Sequence, residues 1–170
     1  MKLHRFFVGA NALEHSVVIR DEHLCRQWMK VLRFQIGREV ALFNEQREEN
    51  LYKIEAMAKD AVTLTLVAER EVQTPKNDVY LCFSLLKKDK NNWVLQKATE
   101  LGVSHFVPLV CQRTEKTGFD SERALKIVTE AAEQCGRVDV PDVREPSGVL
   151  SLISELQGKA TVYVAQQSRE

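Results

Sequence analysis

The sequence lacks the long apolar segments that mark membrane and exported proteins. Its longest purely apolar runs are only a few residues, too short for a transmembrane helix. The first residues, Met1 to His15, contain no apolar core followed by a cleavage site and do not resemble a signal peptide. We therefore expect a soluble, cytoplasmic protein without a membrane partner.

Metal and disulfide motifs are also missing. The chain has four cysteines, and none of them forms a CxxC pair. This scatter argues against a zinc site or a disulfide framework, so reduced thiols and no metal are expected. The motifs GxGxxG, GxxxxGK[ST], HExxH and GxSxG do not occur, which removes the common nucleotide-binding, metalloprotease and hydrolase signatures.

No excess of charge is present overall, because 24 basic residues balance 24 acidic ones. A general polyanion binder is therefore not indicated. The distribution is less even, since the segment up to Arg33 holds six basic residues against three acidic ones. A local basic face in this segment is consistent with binding of an anionic partner.

Two halves with different hydrophobic periodicity follow one another. Up to about residue 72, short β-branched or aromatic segments predict strands, with one helix from Asp21 to about Leu32. Several strands and one helix are typical of a small barrel. The predicted strands are Arg5–Val8, Ser16–Ile19, Glu39–Phe43, Leu51–Ala56 and Ala61–Val67.

The second half alternates strands and helices after a polar linker at residues 73–78. Strands are predicted at Val79–Leu85, Val103–Val110 and Ala160–Ala165. Helices are predicted at Asp89–Leu101, Ser121–Cys135 and Val149–Gln157, each closed by a glycine. Such alternation predicts a parallel α/β sheet, and we expect the sheet to be incomplete because the sequence stops just after a strand.

A basic and aromatic cluster lies near the start of the chain. It comprises His4, Arg5, Phe6 and Phe7, followed by His23, Arg26, Trp28, Lys30 and Arg33. Arginines can fork onto phosphates while aromatic rings stack on unpaired bases, which is a common way of holding single-stranded RNA. The alternative is a solvated helix face with the aromatic residues in the core.

Two further charged clusters lie in the second half. Lys87, Lys88, Asp89 and Lys90 follow a predicted parallel strand, where α/β ligand sites form, and Lys97 and Glu100 share a helix face. Arg113 follows the next strand, and Glu130, Glu133, Gln134 and Arg137 have helical spacing, so that they could face one crevice. Ordinary surface charge remains the simpler alternative for both clusters.

In sequence order, these segments resemble the RsmE family of ribosomal RNA methyltransferases, which modify a uridine at N3 in the 16S RNA of the small subunit. The resemblance is carried by H-R-F-F, by H-x9-R from His23 to Arg33, by K-K-D-K, by Q-K-A-T-E-L-G-V at Gln96–Val103 and by E-A-A-E-Q-C-G-R at Glu130–Arg137.

The resemblance implies an α/β protein with an N-terminal PUA-like β-barrel for RNA (residues 1–72) and a SPOUT methyltransferase domain (residues 73–170) whose C-terminal knot is missing. It implies RNA contacts at Arg5, His23, Arg26, Arg33, Lys88 and Lys97. It places Glu100 and Gln134 in the substrate cleft, with Arg113 and Arg137 as candidate catalytic residues.

The resemblance also implies S-adenosylmethionine as cofactor and a homodimer as the complete protein. The glycine loop G-P-E-G-G and the later L-G-x-R-x-L-R-x-E-T segment that build the family's donor site do not occur here. The donor site is therefore expected beyond residue 170, and this chain is expected to be an inactive fragment.

A cation beside the uridine could stabilise the anion that forms when N3 loses its proton, which is the role suggested for Arg113 or Arg137. Two alternatives to an enzyme stay open. The chain could be a non-catalytic RNA-binding module, whose affinity would depend on salt, or an α/β interaction domain that binds no RNA at any salt concentration.

Overall fold

The computed structural model describes residues 3–87, 90–112, 114 and 118–165. Nine strands and four α-helices occur among them, and the strands form two separate sheets. In chain order they are β1 His4–Phe7, β2 Ser16–Ile19, α1 Glu22–Arg26, β3 Glu39–Phe43, β4 Glu49–Ala58, β5 Ala61–Glu69, β6 Tyr80–Ser84, α2 Lys90–Glu100, β7 His105–Val110, α3 Ser121–Cys135, β8 Asp142–Val143, β9 Ser147–Gly148 and α4 Val149–Leu156.

The first sheet contains five strands in the order β1-β3-β4-β5-β2. Strand β1 pairs parallel to β3, whereas the other neighbours pair antiparallel. Alternating side chains such as Val62 and Leu64 point into one apolar core, together with Trp28, Tyr52 and Ile54. The five strands predicted from alternating hydrophobicity are all confirmed, although β4 and β5 are longer than predicted.

The predicted barrel is not closed among the described residues. Strands β1 and β2 lie at the two ends of the first sheet, and no hydrogen-bonded pairing joins them in the part of the chain that is described. The register of β4 against β5 shifts twice, between Leu51 and Tyr52 and between Ile54 and Ala56, and such irregularities bend a sheet. The fold of this half is therefore a curved, open sheet around a core.

The predicted helix from Asp21 to Leu32 divides into two parts. Asp21 accepts a hydrogen bond from the Leu24 amide at 2.7 Å and so begins α1, as expected for an N-cap. From Gln27 to Val31 the backbone widens into a π-helical turn that buries Trp28 completely. The turn ends at Arg33, whose φ of 52° is unusual for a residue with a side chain.

The second sheet is parallel, as predicted. Strand β7 pairs with β6 on one side, and β8 and β9 pair with β7. Helices α2 and α3 pack on each other, and the core between them and the sheet is built around Leu95, Phe106 and Val128. The two short strands β8 and β9 were not predicted, because two residues carry no periodic pattern.

The prediction of a strand at Ala160–Ala165 is wrong. These residues belong to no strand, and Val162, Tyr163 and Val164 are exposed. Their apolar, β-branched character favours a strand, but a strand also needs a neighbour, and none of the described residues pairs with them. By contrast, Gly102, Gly136 and Gly158 follow helix ends with positive φ, as the sequence predicted.

Candidate functional site

The predicted site residues of the second half belong to opposite ends of the parallel strands of the second sheet. In a parallel sheet, helix α2 leaves the C-terminal end of β6 and returns to the N-terminal end of β7, so the last turn of α2 lies beside the start of β7. A strand of six residues, such as β7, spans roughly 20 Å, so the two edges are well separated. Each predicted residue can be assigned to one edge by the element that carries it.

The C-terminal edge of the sheet is where ligands bind in most open α/β folds. The Ser84 hydroxyl lies 2.9 Å from the Cys111 thiol here, and the Thr114 hydroxyl accepts a hydrogen bond from the Cys111 amide. The Asn91 side chain both accepts from the Leu86 amide and donates to its carbonyl oxygen. These polar groups satisfy one another.

Two predicted site residues, Lys88 and Arg113, lie outside the described residues. In the sequence, Lys88 follows β6, and Arg113 comes three residues after Val110, the last residue of β7. Both predictions therefore concern the C-terminal edge, and the described geometry does not test them.

S-adenosylmethionine does not fit the groups described at this edge. A nucleoside cofactor needs backbone and side-chain polar groups that point into a concave pocket. The described polar side chains here form hydrogen bonds within the protein instead. No atom lies within 4 Å of the position that a Cβ atom would take at Gly118, so this glycine does not line a tight pocket. The described residues also include no group of three His, Cys, Asp or Glu side chains that could hold a metal.

The opposite, N-terminal edge carries four of the other predicted residues. Lys97 binds both carboxylate oxygens of Glu100 at 2.9 and 3.0 Å, and both side chains remain partly exposed. Gln134 is exposed near the end of α3, and Arg137 follows that helix. Arg137 is anchored at the end of the sheet from which β7 starts, whereas Arg113 lies outside the described residues, so the cleft predicted to contain both stays a prediction.

Arg137 is bonded inside the protein through its whole guanidinium group. It forms a two-point ion pair with Asp139, with the shorter contact at 2.6 Å, and donates to the carbonyl oxygens of Thr99 and Val103 at 2.9 and 2.7 Å. Both charged side chains are about nine-tenths buried. These contacts tie the end of α3 to the end of α2, which favours a structural role; a catalytic role for Arg137 stays a prediction.

Arg5 is also bonded within the protein. It forms an ion pair with Glu49 and donates to the carbonyl oxygens of Ala132 and Arg137. Only 12% of its side chain is exposed. Arg5 thus joins the first sheet to the end of α3, and the structure gives it protein partners; its predicted contact with RNA stays a prediction.

The other basic residues of the predicted RNA-binding cluster lie on the surface. His23 and Arg26 are exposed on α1, Lys30 is exposed on the π-helical turn and Arg33 directly after it. Close by, between β1, β2 and the start of α1, the surface forms an open cavity of about 500 Å³. It is lined by Phe7, Val8, Gly9, Asn11, Val18, Ile19, Arg20, Asp21 and Leu24.

Glu133, one of the four residues with helical spacing noted in the sequence, is a carboxyl group whose pKa is shifted strongly. Burial raises its pKa from 4.5 to about 7, and nearby Glu130 adds to the shift. A hydrogen bond from the Phe7 amide at 2.9 Å and the charge of Arg5 oppose the shift. Its contact with the Phe7 amide could not be predicted from that spacing, because Phe7 lies 126 positions away along the chain.

A parallel sheet with packed helices, preceded by a separate sheet with exposed basic residues, defines a mixed α/β protein. The model of the RNA methyltransferase domain family matches residues 73–170. Because this match covers more than half of the chain, the chain belongs to the RNA methyltransferase domain family.

Named relatives agree with this family. The chain is similar to ribosomal RNA small subunit methyltransferase E of Rickettsia conorii, with 26% identity over 85% of this chain and 60% of the relative. The enzyme of the same name from Bacillus subtilis is 28% identical over 84% of this chain and 59% of the relative. The resemblance to the RsmE family predicted from the sequence is confirmed. The chain spans about 60% of the length of these relatives.

A solved structure shares the fold. The ribosomal RNA small subunit methyltransferase E from Neisseria gonorrhoeae, solved bound to S-adenosyl methionine, superposes with a TM-score of 0.81 at 24% identity. The match covers 89% of this chain and 65% of that one. Both sheets of the present structure therefore belong to one arrangement seen in a relative.

Among the described helices, none has the length and apolar character that a membrane span requires.

Proposed function

We propose that this chain belongs to an enzyme that transfers a methyl group from S-adenosylmethionine to N3 of a uridine in the 16S RNA of the small ribosomal subunit. The observation that carries the proposal is the match to curated relatives named ribosomal RNA small subunit methyltransferase E, which extends over about 85% of the chain. The relative solved with S-adenosyl methionine supports the choice of methyl donor. Free cysteines in the described structure agree with action in the reducing cytoplasm.

Within this proposal, residues 1–72 form a PUA-like RNA-binding domain and residues 73–170 part of a SPOUT-class methyltransferase domain. The two separate sheets support this division. His23, Arg26 and Arg33 are exposed, and the same half has an open cavity between β1, β2 and the start of α1; such a surface suits phosphates and an unstacked base. As in other knotted methyltransferases of this kind, we expect the active form to be a homodimer.

The methyl donor supplies the reactive group, so the protein's main contribution is to align RNA and donor. We assign to Arg113 the stabilisation of the uracil anion, because it follows the C-terminal end of β7, the edge at which such sheets bind ligands. Replacing Arg113 with alanine in the active enzyme should lower turnover far more than RNA affinity. Equal losses of both would contradict this assignment.

A direct test uses small ribosomal subunits that lack the modification, tritiated S-adenosylmethionine and mass spectrometry of the digested 16S RNA. The active enzyme should produce 3-methyluridine at one position. Methylation at a different atom, or none in any preparation that binds the donor, would contradict the proposed function. For residues 1–170 alone we expect no calorimetric signal with S-adenosylmethionine, since the glycine loop that builds the family's donor site does not occur in this sequence; one-site binding would place the donor site within this chain.

A second candidate function is RNA binding without catalysis, which the exposed basic residues of α1 and the following turn favour. Neutralising phosphates releases counterions, so RNA affinity should fall linearly on a log–log plot against salt concentration. Titrating residues 1–170 with labelled 16S RNA fragments at several salt concentrations tests this function separately from methylation. An α/β interaction domain would bind no RNA in any of these titrations.

A further inference from the structure

The two halves of the molecule touch mainly where strand β1 meets helix α3. This contact contains charged and polar groups that neither the proposed chemistry nor the proposed RNA surface uses. It involves Arg5 and the Phe7 amide on β1, and Glu133 with the carbonyl oxygens of Ala132 and Arg137 at the end of α3.

Arg5 reaches from the first sheet to the C-terminal end of α3. It donates to the Ala132 carbonyl oxygen at 3.4 Å and to the Arg137 carbonyl oxygen at 2.9 Å. The last carbonyl groups of a helix have no partner within the helix and carry partial negative charge, so a guanidinium group is a suitable cap. Gly136, which closes α3 with a φ of 94°, lies beside the Arg5 guanidinium group.

The guanidinium of Arg5 is held in place from its own side. Glu49 on β4 is buried, with 4% of its side chain exposed, and forms ion pairs with both Arg5 and Arg70. A carboxylate fixed between two arginines leaves Arg5 little rotational freedom, so its remaining donors point toward α3. Glu49 therefore holds the Arg5 side chain in the conformation that contacts α3 by interactions within the first sheet.

Glu133 provides the second point of contact. Its Oε1 accepts a hydrogen bond from the Phe7 amide at 2.9 Å. Strand β1 is an end strand of its sheet, and β3 is the neighbour with which it pairs, so Phe7 offers its amide to α3. Both contacts run in the same direction: β1 supplies the donors, from Arg5 and from Phe7 two residues further along the strand, and the end of α3 supplies the acceptors.

The same contact continues into the second sheet. The Arg137 carbonyl oxygen accepts a hydrogen bond from Arg5. The Arg137 side chain donates to the carbonyl oxygens of Thr99, in the last turn of α2, and of Val103, two residues before β7. A continuous series of hydrogen bonds therefore runs from Glu49, through Arg5 and Arg137, to the backbone that precedes β7.

We propose that Arg5 and Glu133 are positioning residues that fix the orientation of the first sheet against the end of α3, so that RNA bound on the first half is presented to the methyltransferase half in one orientation. The inference rests on the proposed function for its RNA part, whereas the fixed orientation itself can be measured without any activity. Neither side chain is expected to touch the reacting atoms.

The orientation is tested on residues 1–170 by residual dipolar couplings of backbone amides. One alignment tensor should fit both sheets of the unchanged chain. In Glu133→Ala the two sheets should require different tensors, whereas Glu133→Gln, which keeps an oxygen for the Phe7 amide, should again fit one tensor. The matched control is Glu130→Ala, which removes an exposed carboxylate one turn earlier on the same helix and should fit one tensor.

Two tensors in the unchanged chain, or a single tensor in Glu133→Ala, would overturn the proposal. Arg5→Lys serves as a second variant that keeps a charge opposite Glu49, and it should also need two tensors, because an ammonium group cannot span Glu49 and both carbonyl oxygens.

The functional consequence is measured in the active enzyme with small ribosomal subunits. Glu133→Ala should lower kcat about tenfold or more while RNA affinity changes less than about twofold, because orientation rather than binding is lost. Glu133→Gln should recover most of kcat. Loss of RNA affinity with unchanged kcat would overturn the positioning role, and absence of methylation in the unchanged enzyme would contradict the proposed function while leaving the dipolar couplings to decide the orientation.

Discussion

The two halves of this molecule reach stability by different means. The first sheet surrounds one continuous apolar core in which Trp28, Tyr52 and Leu64 are fully buried. The second half divides its buried apolar residues between two smaller clusters, one around Phe106 and one around Val107 and Leu109. Both halves contain a buried ion pair, Arg5 with Glu49 in the first and Arg137 with Asp139 in the second, but the second half leaves large apolar side chains of α4 exposed.

In the parallel sheet, hydrogen bonds also have to hold together the helices that connect its strands. An antiparallel sheet of consecutive strands is held by neighbours close in sequence, as β3, β4 and β5 are. In the second half, by contrast, the ends of α2 and α3 must be brought together across a long separation, and Arg137 does this through 34 to 38 residues of intervening chain.

The largest effect is expected from Arg137→Met, which would break this tie. Asp139 would stay buried without its partner, and loss of one member of a buried pair costs about 4 kcal/mol. The second half should unfold at lower temperature while the first sheet keeps its amide protection, as measured by hydrogen exchange. Arg123→Ala, an exposed arginine of α3, is the control and should change little. Uniform destabilisation of both halves would contradict the comparison.

Replacing one buried leucine in each half with alanine shows which apolar core contributes more to the free energy of unfolding. Leu64→Ala should cost about 3 kcal/mol, because Leu64 is fully buried in the continuous core and its removal leaves a cavity. Leu152→Ala should cost less, about 2 kcal/mol, because the cluster of Val107, Leu109 and Leu152 is small and beside exposed residues. Urea unfolding of both variants measures the difference. A larger cost for Leu152→Ala would contradict the assignment of the main core to the first half.

Glu133 predicts a pH dependence of the contact between the halves. Its pKa is about 7 in the folded protein against an ordinary 4.5, so between these values the folded chain holds a proton that the unfolded chain has released. Its contribution is complete below pH 4.5 and is lost as pH rises through 7. The loss amounts to about 2 kcal/mol after allowance for partial exposure.

The groups that face Glu133 are Arg5 on β1, Glu130 on α3 and, behind Arg5, Glu49 on β4. Thermal unfolding of the unchanged chain and of Glu133→Gln from pH 4 to 8 isolates its contribution from theirs. The melting temperature of the variant relative to the unchanged chain should rise through this range. In the unchanged chain, the Phe7 amide resonance should shift with a midpoint near pH 7; a midpoint near 4.5 would contradict the burial argument.

The smallest effect on stability is expected for Arg26→Ala, which removes an exposed residue of α1. The free energy of unfolding should change by less than about 0.5 kcal/mol. RNA affinity should fall, and the slope of log affinity against log salt should drop by about one if Arg26 contacts a phosphate. Lys126→Ala, an exposed cation on α3, is the control. An unchanged slope in Arg26→Ala would remove Arg26 from the RNA surface.

Local patterns predicted most of the elements. Alternating residues such as Val62 and Leu64 place β5, the cap at Asp21 begins α1, and left-handed glycines close the helices. Each of these signals resides in a few consecutive residues. The strand predicted at Ala160–Ala165 failed because a strand depends on a neighbour as well as on composition.

The arrangement of the site could not be predicted from spacing alone. Gln134 and Arg137 lie close in sequence to Glu133, but nothing in that spacing shows that Arg137 turns inward to Asp139 or that Glu133 meets the Phe7 amide. Glu49 resembles its exposed acidic neighbours in sequence, yet it is buried between two arginines. Apart from the pair of Arg137 and Asp139, such contacts join residues 21 to 132 positions apart, and they appear only once both sheets are in place.

The hydrogen bond from the Phe7 amide to Glu133 also bears on self-association. An end strand with unsatisfied amides is a template on which another chain can add a strand, and natural proteins block such edges with charge or with a covering element. Glu133 combines both devices, because it places a carboxyl group from α3 on the outer face of β1. Separation of the two halves would expose this edge, so a loss of orientation would also favour intermolecular β-pairing and aggregation.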